Sequence, residues 1–563
     1  MPRQLSVEAD PGLSGNNGQR AGQRATNRPR AKHEPRNMTD TVVSRRLSAV
    51  DAAFLYLERR EIPLHMACVC VFDGPLPFEE FVASIEAKIH LIPRYTQIVE
   101  MPAYNLTYPI WKDDPYFDIR RHIFHVSLEP PGGEAELEAL AGRILSQLMD
   151  RNKPLWDIYV IDGLDGGRGA MLARVHHSLA DGVTGVALMN VLFDPTPEGS
   201  LAVPKVRVRP PKPPAEPSLV ETIGKVISGT LDTLFAAEVG FVGMARAILG
   251  NGSESSFTGL VGVLPELAAS VERLPFNKRC GGDRKFCWAE FDLAEAQAIR
   301  RFAGGTINDV ILAVLTAALA RYLKRHRQSI VNRFVRIVCP VSLRHGEQNG
   351  VLGNQISFLP VALPLDVADP VQRLRGVARR METMKRGRAA DLVAVAAACI
   401  ASAPPALQAL FWTVISQATL PLPLFNMICT NIPGSSTPLY TVGRRMIATY
   451  PQVPTGYELG INCAVQSYDG KLFFGLISDA HVAPDVGRLR DYLYVAFDDL
   501  CRAAGVRQAV QKPQAPRKPR APRAAKPETA KPAEAAPASE PAAEAPDEKP
   551  PETPVGMSDK NAA

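Results

Sequence analysis

The chain has 563 residues, 46% hydrophobic and 22% charged, the composition of a folded globular protein that is long for a single core. Its formal charge of +6 sits at the ends: residues 1–46 carry nine Lys/Arg against four Asp/Glu, and residues 507–563 carry ten against eight. The body is close to neutral, so the positive balance is no sign of nucleic-acid binding there, and the basic ends read as solvated arms rather than headgroup contacts.

Residues 1–41 are polar and Gly/Arg-rich, have no apolar signal-peptide core and are expected to be disordered; Met38, just ahead of the first patterned segment, is an alternative start to Met1. A first domain is expected over residues 42–193. It has a strand over Met66–Phe72, a helix over Phe78–Lys88, an amphipathic helix over Ala135–Arg151, and strands Trp156–Asp162 and Ala170–Val175 around a Gly-rich turn. Residues 194–217 hold eight prolines and read as a stiff linker, followed by a helical or irregular connection over 218–286 with a helix at Leu219–Leu249. A second domain, 287–504, has helices over Asn308–Leu323, Pro370–Arg386 and Asp485–Arg502, and strands over Val335–Val341, Gln355–Leu365, Gly460–Ser467 and Lys471–Ser478. Residues 505–563 form a Pro/Ala/Lys/Glu tail expected to be disordered. Helices and strands alternate in both halves, so the fold class is α/β with mixed sheets.

Between Leu392 and Gly443 there is no Asp, Glu, Lys or Arg, but six prolines interrupt the stretch and leave no clean span of about 20 apolar residues. It reads as buried helix and strand with an exposed apolar edge, which leaves peripheral contact with lipid open. The nine cysteines include no CxxC pair, the pattern of free thiols in a reducing compartment, so a cytoplasmic location is expected.

Chemistry concentrates in Ala170–Val175 followed by His176-His177-Ser178-Leu179-Ala180-Asp181-Gly182 and an apolar helix over Val183–Leu192. A strand that ends in a tight polar turn places His177 at the mouth of a crevice, where a neutral imidazole can take a hydroxyl proton near pH 7. Asp181 can fix the loop by ion pairing, and Gly182 removes a side chain where backbones crowd. Two histidines merely filling a polar turn is the bland alternative. A zinc site is disfavoured because His-x3-Asp has no third ligand nearby and no Cys or Glu at zinc spacing, so no metal is expected. The spacing from His176 to Asp181 also fits membrane glycerolipid acyltransferases, whose downstream Pro-Glu-Gly-Thr box has only Pro197-Glu198-Gly199-Ser200 as counterpart. That tetrapeptide lies too close, inside the proline-rich linker, and the reading is set aside.

Separated segments then resemble one family, the bacterial wax ester synthase/diacylglycerol acyltransferases of the HHxxxDG acyltransferase superfamily. They are Leu47-Ser-Ala-Val-Asp51-Ala-Ala-Phe54 with Glu58 and Pro63-Leu-His65-Met66, then Pro154-Leu155-Trp156, Asn308-Asp309 and Pro340-Val-Ser-Leu-Arg344. Gly353-Asn354-Gln355, Asn431-Ile-Pro-Gly434 and Ser467-Tyr-Asp-Gly470 follow in order. The resemblance runs from about Leu47 to Arg502. It implies two chloramphenicol-acetyltransferase-like domains with a tunnel between them, His177 as general base, His176 supporting it or lining the tunnel, and Asp181 structural, paired with an Arg such as Arg344. It also implies that Asn308 lines the site across the interface and helps polarise the carbonyl; capping its helix is an equal alternative. Pro154 and Trp156 read as packing and Asn431–Gly434 as a structural turn.

The expected activity is acyl transfer from acyl-CoA to diacylglycerol or a long-chain alcohol. Acyl-CoA is the co-substrate and no cofactor is needed, because a thioester is already activated. The expected site of action is the inner membrane or lipid droplets, bound peripherally. A carrier-protein thioester donor is the enzymatic alternative, and a non-catalytic protein of lipid-droplet surfaces is the alternative from another class.

Overall fold

The computed structural model describes residues 46–179, 192–199, 271–342, 356–387, 400–418 and 423–507, with isolated positions 393 and 397. Both tails, the helix expected at Leu219–Leu249, and Asp181, Gly182, Arg344 and Gly353-Asn354-Gln355 lie outside the described residues.

The first helix, α1 (Ala49–Leu57), opens at Ser48, whose hydroxyl accepts the Asp51 N–H at 3.1 Å, and closes at Glu58 in extended backbone. The first six-stranded sheet contains β1 (His65–Phe72), β4 (Ile123–Ser127), β5 (Trp156–Asp162), β6 (Gly169–His176), β11 (Tyr440–Thr441) and β12 (Arg444–Gln452) in the order β11-β12-β1-β6-β5-β4. Only β4 and β5 run parallel; the rest are antiparallel, and the β1/β6 register sets His65 directly opposite His176. A separate hairpin, β2 (Gln97–Glu100) with β3 (Ile110–Asp113), lies outside this sheet. Helices α2 (Phe78–Lys88) and α3 (Glu134–Leu145) supply apolar faces to the first core.

The second six-stranded sheet holds β7 (Arg284–Asp292), β8 (Phe334–Ser342), β9 (Ile356–Pro364), β10 (Met427–Pro433), β13 (Ile461–Tyr468) and β14 (Lys471–Asp479), ordered β7-β14-β13-β10-β8-β9. Strand β10 is parallel to both neighbours and the other pairs are antiparallel. Its core is built with α4 (Leu293–Ala303), α5 (Ile307–Arg325), α6 (Pro370–Arg386) and α8 (Val486–Ala503), and α5 is buried almost all round. A further helix, α7 (Pro405–Gln417), packs on α1. Among the described residues no single helix is long and apolar enough to cross a membrane.

Three sequence expectations are corrected. The helix begun at Ala135 stops at Leu145, because Arg174 Nη1 takes the Ile144 and Gln147 carbonyls and Ser146 Oγ the Gly142 carbonyl. The expected linker does not begin at residue 194: Asp194 pairs with Tyr440 of β11, and its carboxylate accepts Lys88 Nζ at 2.9 and 3.0 Å. Residues 440–452, assigned by sequence to the second domain, complete the first sheet instead. There Tyr450 of β12 stacks on Trp288 of β7 at 4.4 Å and 12°, and Phe286, Trp288 and Phe473 of the second sheet join the first core. The sheets approach so closely that a Cβ on Gly475 would stand 1.8 Å from the Pro451 carbonyl oxygen.

Candidate active site

Strand β6 is buried almost along its whole length and ends at His176, beyond which the chain turns at His177–Leu179. The His176 N–H donates to Leu155 O at 2.9 Å, and its side chain is fully buried. Its Nδ1 accepts the Ser178 N–H at 3.1 Å and lies 2.7 Å from Ser178 Oγ. An accepting Nδ1 assigns the proton to Nε2, which faces Glu58 Oε1 at 3.2 Å in a charge contact without in-line hydrogen-bond geometry.

Glu58 is buried. Its Oε1 accepts the Leu64 N–H at 3.2 Å and its Oε2 accepts Arg151 Nη2 at 3.0 Å. Burial by itself raises the carboxyl pKa, but His176 and the Arg151 guanidinium outweigh it and bring it down to about 2. Glu58 is thus an anion at any physiological pH, aimed at the nitrogen of His176 that carries the proton.

One residue on, His177 is half-buried. Its N–H donates to Leu64 O at 2.9 Å, and its ring stacks on Phe54 with centroids 4.2 Å apart at 15°. Phe54 and Glu58 are four residues apart and share a side of α1, so one short helix grips both imidazoles. His65, opposite His176 in the register, is fully buried; desolvation first, and then Arg174, hold its pKa well below the usual histidine value. Two buried ion pairs complete the surroundings. Arg174 reaches Asp157 through Nε at 2.8 Å and Nη2 at 2.6 Å, and Arg284 Nη1 donates to Asp479 Oδ2 at 2.7 Å.

Trp156 stacks on His122 at 4.5 Å and donates Nε1–H to Tyr95 O at 2.7 Å, while Leu155 supplies the carbonyl that holds His176; this is packing. Pro154 O accepts the Trp156 N–H at 2.9 Å. Asn308 and Asp309 stand at the start of α5, in the layer of the second sheet. Helix capping there belongs to Thr306 and Asp309: Asp309 Oδ2 accepts the Thr306 N–H at 2.7 Å and Thr306 Oγ1–H at 2.9 Å. Asn431–Pro433, expected as a turn, form the end of β10 instead, parallel to β13, and Gly434 N–H just beyond donates to Ser467 Oγ of β13 at 3.2 Å. The histidines are thus brought together with Glu58, Phe54 and His65. Sequence reasoning quoted these three as signature residues without giving them a role, and their signal lies in the string from Phe54 to His65.

Comparison with known proteins gives this arrangement a family. Residues 47–311 match the wax ester synthase/diacylglycerol acyltransferase catalytic domain, and residues 352–501 match the WS/DGAT C-terminal domain. A probable diacylglycerol O-acyltransferase of Mycobacterium tuberculosis H37Rv, tgs1, is 30% identical over 446 residues, covering 79% of this chain and 93% of that protein. Its tgs2 counterpart is 29% identical over 474 residues, covering 81% and 98%. The solved wax ester synthase/diacylglycerol acyltransferase of Marinobacter aquaeolei VT8 superposes with a TM-score of 0.57 at 25% identity, covering 82% of this chain and all of that one. The first condensation domain of the calcium-dependent antibiotic synthetase shares the fold, with a TM-score of 0.54 at 14% identity over 83% of this chain and 97% of that domain. The chain belongs to the wax ester synthase/diacylglycerol acyltransferase family and is an acyltransferase.

Proposed function

We propose that the protein transfers a fatty acyl group from acyl-CoA to the hydroxyl of diacylglycerol or a long-chain alcohol, with His177 as general base. The observation that carries this reading is the contrast between neighbouring imidazoles. His176 is fully buried, with Nδ1 bonded to Ser178 and Nε2 set against the Glu58 carboxylate, whereas His177 stays half-buried at the strand end, oriented by Phe54 and the Leu64 carbonyl.

The imidazole of His177 takes the hydroxyl proton as the oxygen attacks the thioester carbonyl. The tetrahedral intermediate then expels the CoA thiolate, which recovers that proton from the imidazolium. His176, its tautomer set by Ser178 and Glu58, holds the strand end so that the next residue faces the acceptor. The relatives carry diacylglycerol acyltransferase names, which favours a lipid alcohol as acceptor. We place the reaction in the cytoplasm, where the eight free thiols of the described residues stay reduced.

The test offers labelled palmitoyl-CoA with diacylglycerol and with hexadecanol, beside palmitoyl-carrier protein as donor. Replacing His177 by Ala should lower the rate by about 10²–10⁴-fold with either acceptor. Turnover that survives the substitution assigns the base elsewhere, and turnover only from the carrier protein replaces CoA as donor.

A further inference from the structure

Helix α7 is turned inside out. Gln408 and Ser416, the kind of side chain a surface helix normally shows to water, point inward. Gln408 Nε2 donates to Tyr108 Oη at 2.6 Å and to Ala403 O at 2.5 Å, while Arg59 reaches Ser416 Oγ at 2.5 Å and Thr413 O at 3.1 Å. The outward stripe, at i, i+3, i+4 and i+7, is Leu407, Leu410, Phe411 and Val414, all exposed, Leu410 to 59%. The helix is pinned by polar contacts on its inner side, so its apolar side faces out as a consequence of the fold.

A second element extends this face. The loop between β2 and β3 touches α7 and exposes Met101, Leu106 and Tyr104, the last to 88%. Tyr104 and Asn105 have φ of 54° and 52°, backbone that an aromatic residue adopts only against steric resistance. That conformation turns the phenol away from the protein. Val50 of α1 is exposed as well. Single exposed apolar side chains are ordinary, but a stripe and a strained loop in contact mark an interaction surface.

The sequence has no charged side chain from Leu392 to Gly443 or from Met101 to Trp111. Cations stand at one end of the helix: exposed Arg279, whose Nη1 lies 3.5 Å from Gln417 O, and exposed Lys278 next to it in the chain. An apolar stripe, an interfacial tyrosine and a cationic rim fit the acyl chains and headgroups of an anionic phospholipid surface.

We infer that the outer side of α7 and the loop 101–110 dock on an anionic lipid surface from which the acceptor is drawn. The inference rests on the lipid-alcohol acceptor proposed above. Its link to chemistry is α1: Ala52 and Tyr56 pack with Tyr108 of the loop and Ala409 of α7, while Phe54 and Glu58 at the same helix hold His177 and His176. The docking face and the histidine pair therefore flank one helix.

The full chain is floated with vesicles of phosphatidylcholine and phosphatidylglycerol, alongside a Leu407→Gln/Phe411→Gln variant and a Tyr104→Ser variant, all at exposed positions. The bound fraction of the double variant should fall roughly tenfold or more and that of Tyr104→Ser by less. Diacylglycerol acylation in the vesicles should fall with it, while acylation of hexanol in free solution stays at the wild-type rate. Wild-type protein that fails to float, or a double variant that floats as wild type does, overturns the docking surface. A change in oligomeric state on gel filtration with flotation unchanged overturns it too and assigns the face to a second copy of the chain. Hexanol acylation, with His177→Ala as blank, reports separately on the proposed chemistry.

Discussion

A carboxylate buried beside an imidazole decides which ring nitrogen carries the proton, and Glu58 does this for His176 from 3.2 Å. Replacing Glu58 by Gln keeps the shape but removes the charge that His176 and Arg151 face. Leaving such buried groups poorly satisfied costs about 1–3 kcal/mol, or roughly 5–150-fold in rate where the loss falls on the transition state. The expected result is a drop in kcat on that scale with KM little changed and a lower Tm; wild-type kcat in the variant would show that His176 needs no anion. The histidine pair itself is legible in the sequence, since two consecutive imidazoles after an apolar strand and before an apolar helix have few other uses. The role of Glu58 is not legible, because it lies far upstream and only the closure of α1 against the end of β6 brings the two together. For Asn308 the sequence leaves site lining and helix capping open, and the capping of α5 is done by Thr306 and Asp309.

Elements are readable where the apolar residues keep a regular period or run. Strands at Met66–Phe72 and Val335–Val341 and the helices over Phe78–Lys88 and Pro370–Arg386 follow their hydrophobic pattern closely. Strand β12 is not, because Arg444 and Arg445 open it and Pro451 sits near its end, features that belong to an edge rather than a central strand. It is nevertheless an interior strand, paired on one side with β1 and on the other with β11. Helix α7 falls in the uncharged stretch that reads as helix and strand with an exposed apolar edge, but its bounds are not legible because its polar residues face inward. The place where β12 meets the second sheet tolerates no side chain: at Gly475 a Cβ would come within 1.8 Å of Pro451 O and 3.0 Å of a Phe286 ring carbon. Gly475→Ala must therefore push β14 from β12, with an expected loss of about 2–3 kcal/mol in urea unfolding. A stability equal to wild type would mean that the two sheets can separate freely at this crossing.

For the whole molecule the buried titratable groups fix how stability responds to acid. His65 is held well below its ordinary pKa by burial and then by Arg174, and His122 is lowered to about 4 by burial and then by Lys153, against the pull of the Trp156 carbonyl and Asp157. Both are neutral when folded and take a proton on unfolding once the pH drops below about 6.5, so each costs stability as pH falls. Glu138 acts with the opposite sign. Burial, with Glu134 nearby, pushes its carboxyl up to about 7 despite Arg490 Nη1 at 3.1 Å, so the folded chain holds a proton there that the unfolded chain releases. Between about pH 5 and pH 6 the unfolded chain therefore binds two protons more at the histidines and one fewer at Glu138, a net uptake near one and a slope of about 1.4 kcal/mol per pH unit. Water reaches the Glu138 carboxyl in part, which reduces its opposing share and leaves the wild-type slope somewhat steeper than that. Below about pH 4 Glu58, with its folded pKa near 2, adds a further uptake and the loss steepens. Glu138→Gln removes the opposing group, and the slope should rise toward about 2.7 kcal/mol per pH unit. The altered contact with Arg490 shifts all values together and leaves the slope alone. Urea unfolding at several pH values between 5 and 6 separates the outcomes: a steeper line in the variant supports these assignments, and an unchanged or flatter one shows that Glu138 is already ionised in the folded protein.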